Sequence, residues 1–400
     1  MGENGPILTQ DQTTTTFPCP GCGGQMQFDT ASQTLKCRYC GNEKILEDGT
    51  EEEPEEYELN FADEDDSSLK DWGTEQQLIK CSNCSGEMLL PATQTAAVCG
   101  FCGSPKVLPQ GNPGSIRPES LIPFQISRDQ AAQAFNLWRK GKWFIPNQFK
   151  KRSVNSNLNG IYVPYWTFDT NTDSSYKAEV GVYHYRDETR TRVVNGKSET
   201  YTERVRYTVW HWTNGNYEQF YDDMLIPASE QYDSILLQKL NDFELDQLTP
   251  YKPEYLSGFI AERYTVSLEA GWEQAKSRVD TKLESEIRSE IGGDEIRKLD
   301  IRTRYIDRTY KHILLPVWIA NYMYKNNRYR YMVNGESGSV TGYVPRSPWK
   351  IMRFIVICLL IATFFSFWIA DAVRNARSSE GSGLVHNQGP SQELKNNSPK

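Results

Sequence analysis

Histidine is scarce: four residues, at 184, 211, 312 and 386, are scattered along 400 positions. That argues against His-based catalysis and against a His-rich metal site. His184 and His211 fall in strand-like runs among aromatics, where a structural role is expected. No dinucleotide fingerprint, nucleophile elbow or His-Glu-x-x-His motif is present. Gly196-Lys197-Ser198 has the end of a phosphate-binding loop, but the required glycine five positions earlier is Thr191. No basic domain stands out. The net charge is −8, and residues 47–71 alone hold 13 Asp/Glu against one Lys, which leaves the remainder near balance. Without a concentration of positive charge, phosphate neutralisation is weak, and nucleic acid is not expected as a partner. The first residues have no basic stretch followed by an apolar run, so no secretory signal is expected, and Pro6 spoils a Gly2 myristoylation pattern.

Nine cysteines are present, eight of them in the first 102 residues. They form C-x2-C-x14-C-x2-C twice: Cys19, Cys22, Cys37 and Cys40, then Cys81, Cys84, Cys99 and Cys102. The two sets are related by a constant offset of 62, which also maps Gly24 on Gly86, Met26 on Met88 and Gly41 on Gly103. A whole folding unit is therefore duplicated. A C-x2-C pair on a tight turn puts two thiolates about a tetrahedral edge apart, and two such turns complete a four-cysteine zinc site. Modules of this size cannot fold on an apolar core alone. A structural zinc ion contributes on the order of 10–16 kcal/mol and supplies the missing stability. With all four ligands Cys, no position is left open for catalysis. Disulfide pairs or a redox C-x-x-C are the alternatives, but the first needs an oxidising compartment and the second a βαβ context. Two structural Zn2+ ions are expected.

The remaining chain reads as α+β. Residues 1–16 are polar and Thr-rich, expected disordered. Zinc ribbon 1 spans 17–46, an acidic linker expected to be extended and solvated spans 47–77, and zinc ribbon 2 spans 78–108. A mixed antiparallel β/helix body spans 119–345. In it, Ser127 and Gln130 form a capping box before a helix that stops at Gly141. Residues 161–221 are strand-like, with Asn195-Gly196 as a hairpin turn. Its Arg186, Arg190, Arg192, Lys197, Arg204 and Arg206 are expected to be a solvated face partly neutralised by Asp187, Glu188, Glu199 and Glu203. A further helix is expected to start at Ser229. The longest should run over 268–291, with Trp272, Val279, Leu283 and Ile287 on one face and Gly292-Gly293 as its stop. Strands return over 301–343.

A second, weaker repeat relates Ile161-Tyr162-Val163-Pro164-Tyr165-Trp166 to Leu314-Leu315-Pro316-Val317-Trp318, for which convergence of two aromatic strands is the favoured reading. Proline cannot donate to a ladder, so both prolines are expected at sheet edges or bulges. Residues 354–370 carry no charge. With their flanks, 351–373, they reach about 34 Å as a helix, enough to cross a bilayer. Cys358 lies inside this run as a small apolar residue. Arg346, Lys350 and Arg353 before it and Arg374 and Arg377 after it favour a cytosolic N-side by three charges to two. Residues 374–400 are expected to be a disordered tail.

The order of these features resembles a known family. Two four-cysteine ribbons are followed by Leu121-Ile122-Pro123-Phe124, Phe135-x-x-Trp138 and Tyr162-Val163-Pro164-Tyr165-Trp166-x-Phe168-Asp169. Then come Leu314-Leu315-Pro316-Val317-Trp318 and Met332-Val333-Asn334-Gly335-x-x-Gly338, and an apolar segment. This is similar to the bacterial TFIIB-type zinc-ribbon membrane proteins encoded beside phage-shock-type envelope-stress proteins. The resemblance covers about 17–373. It implies a non-enzymatic, single-pass protein of the cell membrane with its N-terminal domains cytosolic. Such a protein works with a second membrane protein to bring a phage-shock-A-like or coat-type protein to the membrane face. On that reading the ribbons reach a partner through the flexible acidic tether. The alternative is a membrane-tethered nucleic-acid binder of the helicase or primosome type, a label resting on the ribbons alone.

Overall fold

The structure is a computed structural model. It describes residues 17–46, 55–72, 76–91, 99–101, 104, 107–110, 115–150, 158–194, 197–232, 234–240, 242–325 and 327–381. Residues 1–16, the turn at 195–196, Cys102 and the tail from 382 lie outside them. The chain is α+β. Strands β1 (Met26–Asp29), β2 (Thr34–Cys37) and β3 (Glu43–Ile45) form a small antiparallel sheet. The other strands form a large mixed sheet. In chain order they are β4 (Tyr57–Glu58), β5 (Gln76–Cys81), β6 (Glu87–Pro91), β7 (Val107–Gln110), β8 (Ser120–Leu121), β9 (Leu158–Val194), β10 (Lys197–Tyr221) and β11 (Ile226–Pro227). After these come β12 (Thr249–Pro250), β13 (Ile260–Glu262), β14 (Glu295–Tyr324), β15 (Asn327–Asn334) and β16 (Val340–Gly342). The α-helices among the described residues are α1 (Arg128–Gly141), α2 (Asn147–Lys150), α3 (Ser234–Gln238), α4 (Leu268–Ile291) and α5 (Pro348–Gly381).

The centre is the antiparallel pair β9 and β14. Their register sets Pro164 opposite Leu314 and Pro316 opposite Tyr162, so the two similar segments are direct neighbours. The prolines are therefore not at the sheet edge. Each strand has a different set of neighbours along its outer side. On β9, β13 pairs in parallel at Ile161–Tyr162 and β11 antiparallel at Tyr165–Trp166. On β14, β8 pairs in parallel at Ile313–Leu314 and β15 antiparallel from Val317. Each proline sits where one neighbour hands over to the next. The carbonyls of Pro164 and Pro316 accept from Ala228 N and Gly335 N on that outer side. The missing N–H faces the same way, into the handover, where no ladder bond is lost.

The correspondence continues outward. The Trp166 indole donates to Val266 O at 3.0 Å and the Trp318 indole to Ile126 O at 2.8 Å. Those carbonyls belong to the residues just before Ser267 and Ser127, whose hydroxyls accept from Ala270 N and Gln130 N at the starts of α4 and α1. Ala228 O takes Thr265 N and Val266 N; Gly335 O takes Gln125 N and Ile126 N. The body is thus two strand–helix–strand units that exchange strands: β8 leads to α1 but pairs with β14, and β13 leads to α4 but pairs with β9. This pairing of equivalent contacts goes beyond the convergence of two aromatic strands.

Helix α4 has the expected span and buries Trp272, Ala275, Val279, Leu283 and Ile287. Gly292 and Gly293 end it at φ 67° and 83°, and a Cβ on Gly293 would lie 2.4 Å from Val180. Ser229 does not start a helix: it is buried, its hydroxyl is engaged by Glu262, and α3 begins only at Ser234. Beyond Gly181, where β14 begins, β9 and β10 pair only with each other. They form a two-stranded arm roughly 40 Å long at the usual rise per residue. Arg186, Arg190 and Arg192 pair there with Glu188, Glu203 and Glu199. Arg204 and Arg206 lie over Tyr185 and Tyr183.

The described part of the acidic stretch is not a free linker. Tyr57–Glu58 pairs with Thr309–Tyr310 of β14, Tyr310 donates to Asp63, and the buried Trp72 donates to Ser115 O. Its carboxylates meet cations and hydroxyls from residues about 250 positions away, and this outweighs their mutual repulsion.

Residues 141–152 and 344–400 form a separate compact unit. In it α5 extends to Gly381, past the expected start of the tail, and Pro348–Ala372 is long and apolar enough to cross a membrane.

Trp166→Phe and Trp318→Phe each leave a carbonyl at a helix start without its donor. Each is expected to cost about 1–2 kcal/mol. Thermal unfolding of the full chain in detergent should show two drops of similar size; a large drop for one and none for the other would contradict the paired arrangement.

Candidate metal centres

The first cysteine cluster is built from two knuckle turns. Gly23 N donates to Cys19 O and Cys19 N to Gly24 O; Gly41 N donates to Cys37 O and Cys37 N to Asn42 O. Gly23 and Gly41 take φ 72° and 74°, which L side chains adopt at a cost. The sulfurs of Cys19 and Cys40 are 3.3 Å apart and those of Cys22 and Cys37 3.5 Å apart, and all four lie within 4.8 Å of one another. A disulfide needs about 2.05 Å. A tetrahedron of sulfurs about 2.3 Å from a zinc ion has edges of about 3.8 Å. The four thiols fit a metal ion and not two disulfides. The backbone N–H groups of Cys40 and Tyr39 point at Cys37 Sγ and hold its thiol down to about 6.

The second cluster repeats this geometry. Cys81 N donates to Gly86 O, Ser85 N to Cys81 O and Cys99 N to Ser104 O, each at the offset of 62. Ser85 stands where the first module has Gly23 and keeps a positive φ of 57°. Cys84 and Cys99 sulfurs are 3.7 Å apart, and Cys81, Cys84 and Cys99 form one group. Cys102, the expected fourth ligand, lies outside the described residues.

The modules differ in burial. Gly24 and Gly86 lack side chains for the same reason: a Cβ would meet the ring of Tyr39 at 2.7 Å and of Phe101 at 2.2 Å. Yet Tyr39 is 82% exposed and Phe101 0%. Module two is part of the body core. Strand β6 pairs with β13, and Cys81, Met88, Cys99 and Phe101 share one apolar cluster with Ile161, Val163 and Ile313. Arg263 bridges to Glu87, and Phe101 packs edge-on against Tyr232. Module one keeps its own sheet. It meets the body through Phe28, whose N–H donates to Ser257 O and whose ring packs on Tyr255, and through Gln33, which donates to Phe124 O. Cys22, Cys40, Tyr39 and Ile45 remain exposed. Neither module hangs on a free tether.

Three further titratable groups escaped the sequence reading. Asp169, Asp222 and Asp223 form a third acidic group, but Lys311 Nζ lies 3.2 Å from Asp223 and 3.0 Å from Glu56 and already supplies a cation. Burial pushes Asp169 up to about 6. His312 is boxed by Trp72, Trp166 and Tyr264, and its Nδ1–H donates to Ile116 O. Burial lowers it to about 4, so it is neutral. Glu262 is buried behind a cleft of about 440 Å³ lined in part by Ser229, Tyr232 and Arg278; Ser229 Oγ donates to it at 2.5 Å, and burial pushes it up to about 8. A spacing signal for these groups does not exist, because each is assembled from separate strands.

No family model matches the chain, and no solved structure matches it. It is similar to a protein of Bacillus subtilis (strain 168) described as "Uncharacterized protein YdjG", with 29% identity over 340 residues, 84% of this chain and 91% of that one.

Cys19→Ser/Cys22→Ser is expected to lose one metal equivalent and leave the body's thermal transition nearly in place. Cys81→Ser/Cys84→Ser should lose the other and abolish the cooperative transition of the body. Metal content and unfolding of the solubilised full chain check this; equal loss of body stability in both variants would contradict it. Glu262 releases its proton near 4.5 when unfolded and near 8 when folded. Its contribution to stability is therefore full below about pH 4.5 and is lost as pH rises toward 8. Glu262→Gln should stabilise the chain relative to the parent progressively from pH 5 to pH 8, by a few kcal/mol of unfolding free energy at the upper end, read as a rising melting temperature. A difference that does not change with pH would refute the buried-acid assignment.

Proposed function

We propose that the chain is a non-enzymatic recruitment scaffold on a single-pass membrane anchor, with both clusters holding structural zinc and the folded part on the cytosolic side. The observation that carries this reading is the contrast between two equivalent metal modules. One is a cornerstone of the body core. The other keeps the same thiol geometry but presents Tyr39 and Ile45, 82% and 75% exposed, beside its two exposed thiols. An exposed aromatic next to a rigid metal knuckle is well suited to anchoring a protein partner. Closed four-thiol sites leave no position for a reacting water, which supports a structural role. In keeping with the resemblance to TFIIB-type zinc-ribbon membrane proteins, the proposed partners are a second membrane protein and a phage-shock-A-like or coat-type protein. The nucleic-acid alternative gains little from the arm, whose arginines are held by glutamates or tyrosine rings.

Affinity purification from solubilised membranes of the native host tests the reading. Membrane or coat-type proteins should co-purify with the full-length chain and fall away with Tyr39→Ser/Ile45→Ser, while metal content stays intact. Nucleic acid with replication or transcription proteins on both forms, and on a 1–345 truncation, would overturn it.

A further inference from the structure

Within the smaller unit, a segment from far upstream in the sequence is folded onto the start of α5. Ser347 N donates to Phe144 O at 2.7 Å. Lys350 Nζ donates to Ile145 O at 2.8 Å and to Asn147 Oδ1 at 2.7 Å. The rings of Phe144 and Phe354 meet edge-to-face at 5.5 Å. The charges this brings together are of one sign. Residues 141–150 carry Lys142 and Lys150, and residues 344–353 carry Arg346, Lys350 and Arg353. Neither stretch holds an acidic residue, and the first one after the second is Asp371, beyond the apolar run. This local +5 stands in a chain whose net charge is −8. Trp143 and Trp349 are each 75% exposed. Trp349 precedes the charge-free run by five residues, about 7.5 Å along a helix, the depth of an interfacial layer.

We propose that residues 141–150 and the first turns of α5 form a collar that binds anionic phospholipid head groups at the membrane surface. The proposal rests on the reading of α5 as a membrane span. Ordinary flanking charge does not explain it, since two of the five cations come from a segment about 200 residues upstream of α5. That segment is fixed to the helix by the bonds above. Each Lys or Arg near an anionic surface contributes about 1 kcal/mol, falling off over a Debye length. The two indoles set the depth of the collar, their rings at the head-group level. The collar also raises the positive count on the N-side of the span from three to five, against two arginines after it, and so strengthens the cytosolic orientation.

The test uses the full-length chain reconstituted into vesicles. Flotation with purely phosphatidylcholine vesicles reports on the span alone. Spin-labelled phosphatidylglycerol and phosphatidylcholine then report on head-group selectivity. The expected result is a several-fold preference for phosphatidylglycerol at low salt that shrinks at high salt. It should fall markedly in Lys142→Gln/Lys150→Gln and persist in Arg302→Gln/Arg304→Gln, which removes cations of the large sheet. Flotation with no preference in the parent chain, or a preference untouched by the Lys142/Lys150 double substitution, overturns the collar and leaves the span standing. Failure to float overturns both. The salt dependence of the parent chain gives a readout independent of how the double variant folds. No effect of lipid charge on the chain, together with binding of an acidic peptide that is lost in the double variant, would assign the patch to a protein ligand and overturn the lipid reading.

Discussion

The body depends on the ladder between β9 and β14. Once these two strands are paired with Pro164 and Pro316 near its middle, much else follows. Each proline removes a donor on the outer side, so no single neighbour can run past it, and a parallel strand must give way to an antiparallel one at that point. The handover brings the turns at Ala228 and Gly335 against the prolines. Those turns hold the residues before Ser267 and Ser127. Trp166 and Trp318 complete each junction with an indole hydrogen bond, and the two helices start in equivalent places. Local backbone chemistry thus fixes where helices pack on the sheet.

The metal modules show how one local design serves two ends. A thiol cluster of this kind holds a small sheet together without an apolar core. Nothing in that chemistry says whether the sheet is to be exposed. In module two the knuckle ring, Phe101, is covered by Tyr232 and its strand β6 joins the large sheet through β13. In module one the equivalent ring, Tyr39, is open to solvent and contact with the body runs through the other end of the hairpin at Phe28. The result is a module joined to the body at one end, with Tyr39, Cys22 and Cys40 at the other open to solvent.

Charge is organised by position rather than by total. The acidic stretch is partly absorbed by the body through Lys311, Thr309 and Tyr310. Basic residues gather around the start of α5. The arm, although rich in arginine, is close to balanced and laced by its own glutamates. Buried ionisable groups are kept neutral instead: His312 by its aromatic box and Glu262 by the closed space behind Ser229.

The sequence by itself determined the two cysteine clusters, their duplication at an offset of 62, the face and ends of α4, and the apolar run of α5. These are set by chemistry within a turn or two of chain: ligand spacing, the helical period, the glycine stop and the absence of charge. Only the tertiary structure decided that Pro164 and Pro316 are central, that Ser229 serves Glu262 instead of a helix, that the described part of the acidic stretch docks, and that 144–147 closes on α5. A proline's cost depends on which side of the strand its nitrogen faces, and a carboxylate's on what lies opposite. The residue pair Tyr39 and Phe101 makes the point most directly. Position, neighbours and local geometry match at the offset of 62, yet one ring is exposed and the other is fully buried, because burial is supplied by strands from hundreds of residues away.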